Sequence, residues 1–369
     1  MNKRESYKVG SIDIPYLVLS VLIAAIGLLT MISAYAGKTF KNYRQEIFGF
    51  ALKELVFVAV GVIAMVIIIK LDWKFFHRCA VWFYGATLVL MLLTWMFGTV
   101  VYGAKRWLFG MQPSEFVKLS LVLIMAKYIY EWSQGYRESI KGSFKMLIFV
   151  APMAFIAVVG QSHLSVTIIY LMITALMLLA SGVNRLLVTI GVVGGIPGLI
   201  GVIFLGASFR ADRIEGWLHP FEGTNTTGTS WQVVQSLYAI ASGGLFGRGY
   251  TQSREKYAWL PMADNDYIFS VFAEECGFII CTLVIILFVA FIWRGIVIAT
   301  HAPNTFLSMV AFGVTMMFAV QIFLNICIVC NVLPPTGIQL PFFSSGGTSL
   351  MTCMAGVGLV LNVSRYKSR

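Results

Sequence analysis

From Ile14 to Val363 the chain is a succession of apolar runs, each about as long as a bilayer is thick, with short polar breaks between them. One crossing of the hydrocarbon core needs about 20 apolar residues. In that core a chain must satisfy its backbone polar groups internally, which leaves helices for runs of this kind. The runs predict ten crossings: Ile14–Tyr35, Leu55–Lys70, Cys79–Phe97, Glu115–Tyr130, Met146–Val159, Leu164–Leu179, Leu186–Leu205, Tyr267–Trp293, Phe306–Val332 and Thr348–Val363. The fold class is therefore all-α and polytopic, a single membrane domain over residues 1–369, with one large loop at 207–265. Composition agrees: 59% of residues are hydrophobic and 12% charged, against roughly 25% charged in soluble domains.

The net charge of +11 would suggest nucleic acid in a soluble protein. Here the cations sit between apolar runs, so anionic headgroups and orientation explain them better. Fifteen Lys and Arg fall on the side that includes Lys3, Lys70, Arg78, Lys127, Arg185, Arg294 and Arg365; seven fall on the other, leaving the large loop aside. The positive-inside rule then puts both termini in the cytoplasm and loop 207–265 outside. Within that loop Val233, Val234, Leu237, Tyr238, Ala241 and Leu245 recur at helical spacing, which predicts a helix in the interface or against the bundle. The six cysteines lie in or beside apolar runs and are expected to be small core residues.

Three clusters carry the chemistry, all on the predicted outer side. The tract Trp259–Phe269 ends the loop and places Asp266 where loop becomes apolar helix, followed by Glu274 and Glu275. A helix cap and a general base both suit Asp266. Adjacent carboxylates inside an apolar helix require a polar cavity or a cation. The second cluster is Gly103-Ala104-Lys105-Arg106-Trp107 followed by Gln112-Pro113-Ser114-Glu115 and Lys118. Glu115 and Lys118 share a helix face and can pair; the cations Lys105 and Arg106 on an outer face point to an anionic ligand. The third is Pro341–Ser349, where Gly346 and Gly347 precede the last crossing and suit either anion binding or close helix packing. The four histidines show no metal spacing, and no Walker A, H-E-x-x-H or G-x-S-x-G motif is present. An ATP-driven pump and a membrane protease are unsupported.

The ordered set resembles the shape, elongation, division and sporulation (SEDS) family of RodA/FtsW polymerases. The carrying motifs are Gly103–Trp107, Gln112–Glu115, Trp231-Gln232 with Gln235-Ser236, Ser242–Gly247, Asn265–Phe269 with Glu274-Glu275, and Pro335-Thr336-Gly337 with Leu340-Pro341-Phe342. Ser253-Arg254-Glu255-Lys256 resembles the FtsW and sporulation branch more than the RodA branch. The resemblance implies ten crossings, cytoplasmic termini in a bacterial cytoplasmic membrane, and polymerisation of lipid II into glycan strands. It implies as partners a class B penicillin-binding protein and other divisome or elongasome membrane proteins, with no nucleic acid. Asp266 matches the family's essential aspartate and is assigned as base. Lys105, Arg106, Arg210 and Arg213 are candidates for the pyrophosphate, and Glu115, Lys118, Gln235, Ser236, Gly346 and Gly347 complete the candidate substrate site. No metal site is encoded by a clear ligand set, although a divalent cation fits the chemistry. Two family carboxylates are missing: His163 and Met262 stand in their places. The rival readings are a lipid II flippase or transporter and a non-catalytic scaffold.

Overall fold

A computed structural model describes residues 7–37, 43–101, 104–133, 135, 139–182, 215–221, 230–257 and 259–367. The predicted seventh crossing, Leu186–Leu205, lies outside the described residues, as do Arg210, Arg213 and much of loop 207–265.

The helices are α1 (Ile14–Ala36), α2 (Tyr43–Lys70), α3 (Trp73–Phe97), α4 (Pro113–Glu131), α5 (Ile140–Phe155, continued by a π turn Ile156–Gly160), α6 (Leu164–Ala180), α7 (Trp231–Gly243), α8 (Ile268–Thr300), α9 (Thr305–Val329) and α10 (Gly347–Ser364). Among the described residues six of them, α1, α2, α3, α8, α9 and α10, are long and apolar enough to cross a membrane; two shorter apolar helices cover Lys145–Gly160 and Leu164–Ala180. The chain is a multi-pass membrane protein.

Buried α4 forms the centre. It is buried at every position from Gln112 to Ala126 except Phe116, and α3, α5, α6, α9 and α10 pack around it. Its sequence is the least like a lipid-facing span because it meets protein on all sides. The outer ring is the reverse: α2 exposes Leu52, Leu55, Ile63 and Ile67, which suit lipid.

The chain ends meet. Strand β1 (Lys8–Val9) pairs antiparallel with β4 (Tyr366–Lys367); β2 (Thr99–Val101) and β3 (Ala104–Trp107) form a hairpin before α4. Asp13 caps α1 through its bond to the Tyr16 amide and pairs with Arg294 at 2.7 Å. At the end of α10 the Asn362 amide donates to the carbonyls of Ile68, Ile69 and Leu71, and Arg365 donates to that of Ile69. These are carbonyls that a helix end leaves without partners.

Between α9 and α10 the chain dips into the bundle as irregular backbone. Leu340, Phe342, Phe343 and Ser344 are buried, and Phe342 packs on Phe291 and Phe318. A Cβ on Gly27, in the middle of α1, would lie 2.2 Å from the Phe342 carbonyl oxygen. Non-helical backbone is tolerated at such a depth only where protein surrounds it.

The expected loop helix is present and packed on the bundle, and the expectation for the cysteines needs correction. The α7 helix exists, but its buried positions are Val233, Val234, Gln235, Ser236, Ala239 and Gly243; Tyr238, Ala241 and Leu245 are exposed. It docks on α8 through its small residues, since a Cβ on Gly243 would come within 2.2 Å of the Ala273 carbonyl oxygen. Of the cysteines, Cys281 and Cys353 are buried, but Cys330 at the end of α9 is exposed.

Candidate active site

Helix α8 opens at Ile268 with Tyr267 in the cap position, so Asp266 precedes the cap by one residue. The Asp266 side chain is half-buried, and its Oδ2 lies 2.9 Å from where a Cβ on Gly337 would stand. The loop that carries it is stitched to the dipping segment. Ser345 donates its amide to the Asp264 carbonyl at 2.9 Å and its hydroxyl to the Asp264 carboxylate at 3.1 Å. Ser344 donates to the Asn265 carbonyl at 2.7 Å and accepts from the Leu340 amide at 2.8 Å. The serines of Ser344-Ser345-Gly346-Gly347 thus secure the Asp266 loop.

The same level continues into the second cluster. Thr348, at the start of α10, accepts the Gln112 amide at 3.3 Å. Two residues into α4, Ser114 gives its carbonyl to the Tyr170 hydroxyl at 2.8 Å, which brings in α6. Before α6, the Arg106 guanidinium donates to the Ser162 carbonyl at 2.8 Å. A belt of polar contacts therefore runs from the Asp266 loop through the α10 start and the α4 start to the α5–α6 break and the β3 hairpin. Motifs far apart in sequence share one end of the bundle.

Glu115 and Lys118 form the expected pair at 2.7 Å, and both are buried. Lys105 and Arg106 on β3 are half-buried. Gly346 stands at the α10 cap position, and a Cβ on Gly347 would fall 2.4 Å from the Phe57 ring; close packing against α2 thus explains Gly347. Ser236 has its hydroxyl shared between the Ser270 hydroxyl at 2.7 Å and the Val329 carbonyl at 2.8 Å, fastening α7 to α8 and α9. Gln235 is buried on the same helix. Among the described residues no group of three or more His, Cys, Asp or Glu side chains is arranged to hold a metal ion.

The adjacent carboxylates of α8 are both occupied. Glu275 accepts from the fully buried Lys256 ammonium at 2.7 Å and from the Ser33 hydroxyl of α1 at 2.7 Å. Glu274 accepts the Ser253 hydroxyl at 2.6 Å and the Arg254 amide at 3.0 Å, with Arg248 at 3.6 Å. Together they clamp segment 248–256 to the bundle, and Glu275 ties it on to α1 through Ser33, 242 residues away in sequence.

Glu255 in that segment is less well placed. Its Oε2 is buried without a hydrogen-bond partner. Burial, then the neighbouring Glu274, push its carboxyl above the usual range, with Arg248 opposing them. A folded-state value above the unfolded one makes its contribution most favourable at low pH, and that contribution is lost as the pH rises through the folded-state value. Glu255→Gln is expected to raise the melting temperature in detergent at neutral pH, with the gain shrinking as the pH is lowered. A gain of equal size at every pH would separate it from this titration.

Gly337, of the Pro335-Thr336-Gly337 motif, approaches Asp266 from the segment after α9; Asn325, which approaches it from α9, carries neither charge nor metal-ligand character and is not signalled by sequence.

The profile of the cell cycle proteins FtsW, RodA and SpoVE matches residues 14–369. The chain belongs to the FtsW/RodA/SpoVE family. It is 36% identical to stage V sporulation protein E of Bacillus subtilis, over 97% of this chain and 98% of that protein. It is 31% identical to a probable peptidoglycan glycosyltransferase FtsW of Trichlorobacter lovleyi, over 98% of this chain and 95% of the relative. Among solved structures it is similar to a chain of a peptidoglycan synthase complex described for coordination of polymerization and crosslinking, with TM-score 0.79, 24% identity and coverage of 96% and 98%. It is also similar to the Thermus thermophilus rod shape determining protein RodA, with TM-score 0.69, 22% identity and coverage of 97% and 98%. These two likenesses show that the chain has the family fold from end to end.

Proposed function

We infer that this chain is a peptidoglycan glycosyltransferase that polymerises lipid II into glycan strands in division, sporulation or elongation. The end-to-end match to curated glycosyltransferases carries the reading. The reacting atoms of lipid II, a disaccharide on a pyrophosphate with a polyprenyl tail, sit at the membrane surface. The polymerase must accept a proton from a sugar hydroxyl while the sugar–phosphate bond breaks. Asp266, half-buried and fixed on a buried loop, takes the proton. Lys105 and Arg106, with Arg210 and Arg213, neutralise the departing pyrophosphate; an arginine fork offers two parallel hydrogen bonds to phosphate oxygens. Lys118 is already neutralised by Glu115, so that pair shapes the pocket wall beside Arg106. Gln235, Ser236, Gly346 and Gly347 support the site through packing. The outcome is inversion by direct displacement, with Asp266 as the base.

On this reading the fold has ten crossings with both termini in the cytoplasm, and loop 207–265 faces outward. Two observations support it: the Lys and Arg asymmetry of the short loops, and the β1–β4 pairing that brings the two ends to one face. A class B penicillin-binding protein and other divisome or elongasome membrane proteins are the partners.

The test is purified chain in nanodiscs with labelled lipid II, with and without the partner, read as polymer length on a gel. Glycan strands are expected. Transfer of lipid II between leaflets with no polymer under either condition would instead establish a flippase.

A further inference from the structure

Asn325 lies on α9 with no exposed surface. Its side-chain amide donates two hydrogen bonds, to the Asp266 carbonyl at 2.8 Å and to the Ile338 carbonyl at 2.7 Å. Both acceptors are carbonyls, so only one orientation of the amide satisfies them; the flipped form would set oxygen against oxygen. The bonds join two segments that have no helical ladder of their own at this point, the end of the Asp266 loop and the turn after α9. That turn is closed by the Ile338 amide on the Thr336 carbonyl at 2.9 Å. Gly337 lies in it, with its Cα hydrogen face under the Asp266 carboxylate. A Cβ there would stand 2.9 Å from Oδ2 and 3.7 Å from Cγ, nearer the oxygen than a carbon–oxygen contact of about 3.3 Å allows.

From this geometry we propose that Asn325 and Gly337 position the base: Asn325 sets the separation between the Asp266 backbone and the 335–338 turn, and Gly337 leaves the space into which the carboxylate is aimed. Neither residue touches the sugar. They act through Asp266, and a base displaced by about 1 Å can cost on the order of 100-fold in rate. The inference rests on the proposed polymerase activity and on Asp266 as its base.

The two residues perturb different coordinates, which gives two variants. Gly337→Ala adds one methyl against the far end of a flexible side chain, so the carboxylate shifts and the fold persists. Asn325→Gln keeps both donors but moves them outward by one methylene. Turnover of labelled lipid II, equilibrium binding of a fluorescent lipid II in the same nanodiscs, and melting temperature in detergent are measured for each. Expected for Gly337→Ala is a fall in turnover of at least about tenfold, with lipid II binding within about twofold of the parent and the melting temperature little changed. Asn325→Gln should show the same split between turnover and binding, together with some loss of stability. Turnover of Gly337→Ala within twofold of the parent, or turnover and binding falling together in both variants, overturns the proposal. If Asp266→Asn remains fully active, the base assignment itself is wrong. If Asp266→Asn is inactive and Gly337→Ala is normal, only the positioning inference fails.

Discussion

Asp266→Asn is expected to leave a folded, membrane-inserted chain that makes no glycan polymer. The amide is nearly isosteric with the carboxylate and leaves the backbone carbonyl held by Asn325 intact. It also fits the open face of Gly337. What it lacks is the capacity to accept the sugar proton. Positioned general bases contribute about 100- to 10,000-fold, so turnover should fall by that order while the melting temperature and lipid II binding stay near the parent's. Polymer of normal length and rate from a well-folded Asp266→Asn chain would remove Asp266 from the mechanism.

The second large effect is on stability. Glu115→Gln or Lys118→Met each leaves a single charge buried at the centre of the bundle, where both residues of the pair are shielded from solvent. Breaking one side of a buried pair costs about 3–5 kcal/mol, and removing both sides costs much less than the sum. The double variant should therefore melt above at least one of the singles in the same detergent. Strictly additive losses would show that the two side chains do not depend on each other. The contrast is Asp13–Arg294, also at 2.7 Å but with Arg294 38% exposed, where solvent screening leaves about 1 kcal/mol or less.

Much of the architecture is legible in the sequence because lipid rewards long apolar runs wherever they occur. The limits of α1, α4, α6, α9 and α10 lie within a few residues of the apolar stretches. Which side of a helix meets protein is a different matter. The most apolar stretch of α2 has mean hydropathy 2.6 and is 17% buried, whereas that of α10 has 1.4 and is 78% buried. Apolarity marks the lipid side; small and polar residues mark the packed side. That inversion is why Tyr238 and Ala241 of the periodic set stay exposed on α7, while Ser236 and Gly243 form the joint. Glu115–Lys118 is readable because helical spacing brings partners three apart together. The α8 pair is half-readable: two adjacent buried acids demand donors, but spacing cannot name Lys256 or Ser33. The dip between α9 and α10 is invisible, since its Phe342-Phe343 and Ser344-Ser345 read as an ordinary helix approach. With it goes the contact of Gly337 with Asp266, which depends on the path of irregular backbone.

The Asn362 cap bears on how the protein is made. Ile68 and Ile69 at the end of α2, and Leu71 just after it, are made early, yet the amide that satisfies their carbonyls belongs to Asn362, 291 to 294 residues later. Until then the C-terminal end of α2 has no partner from α10, the helix that packs along it, and must rely on water or lipid headgroups. The end of α2 therefore waits for α10. Insertion can proceed run by run, but closure of the bundle cannot precede the synthesis of α10. A chain stopped short of Asn362 would carry every polar side chain of the Asp266 loop and the α4 start and still lack the latch that joins α10 to the end of α2.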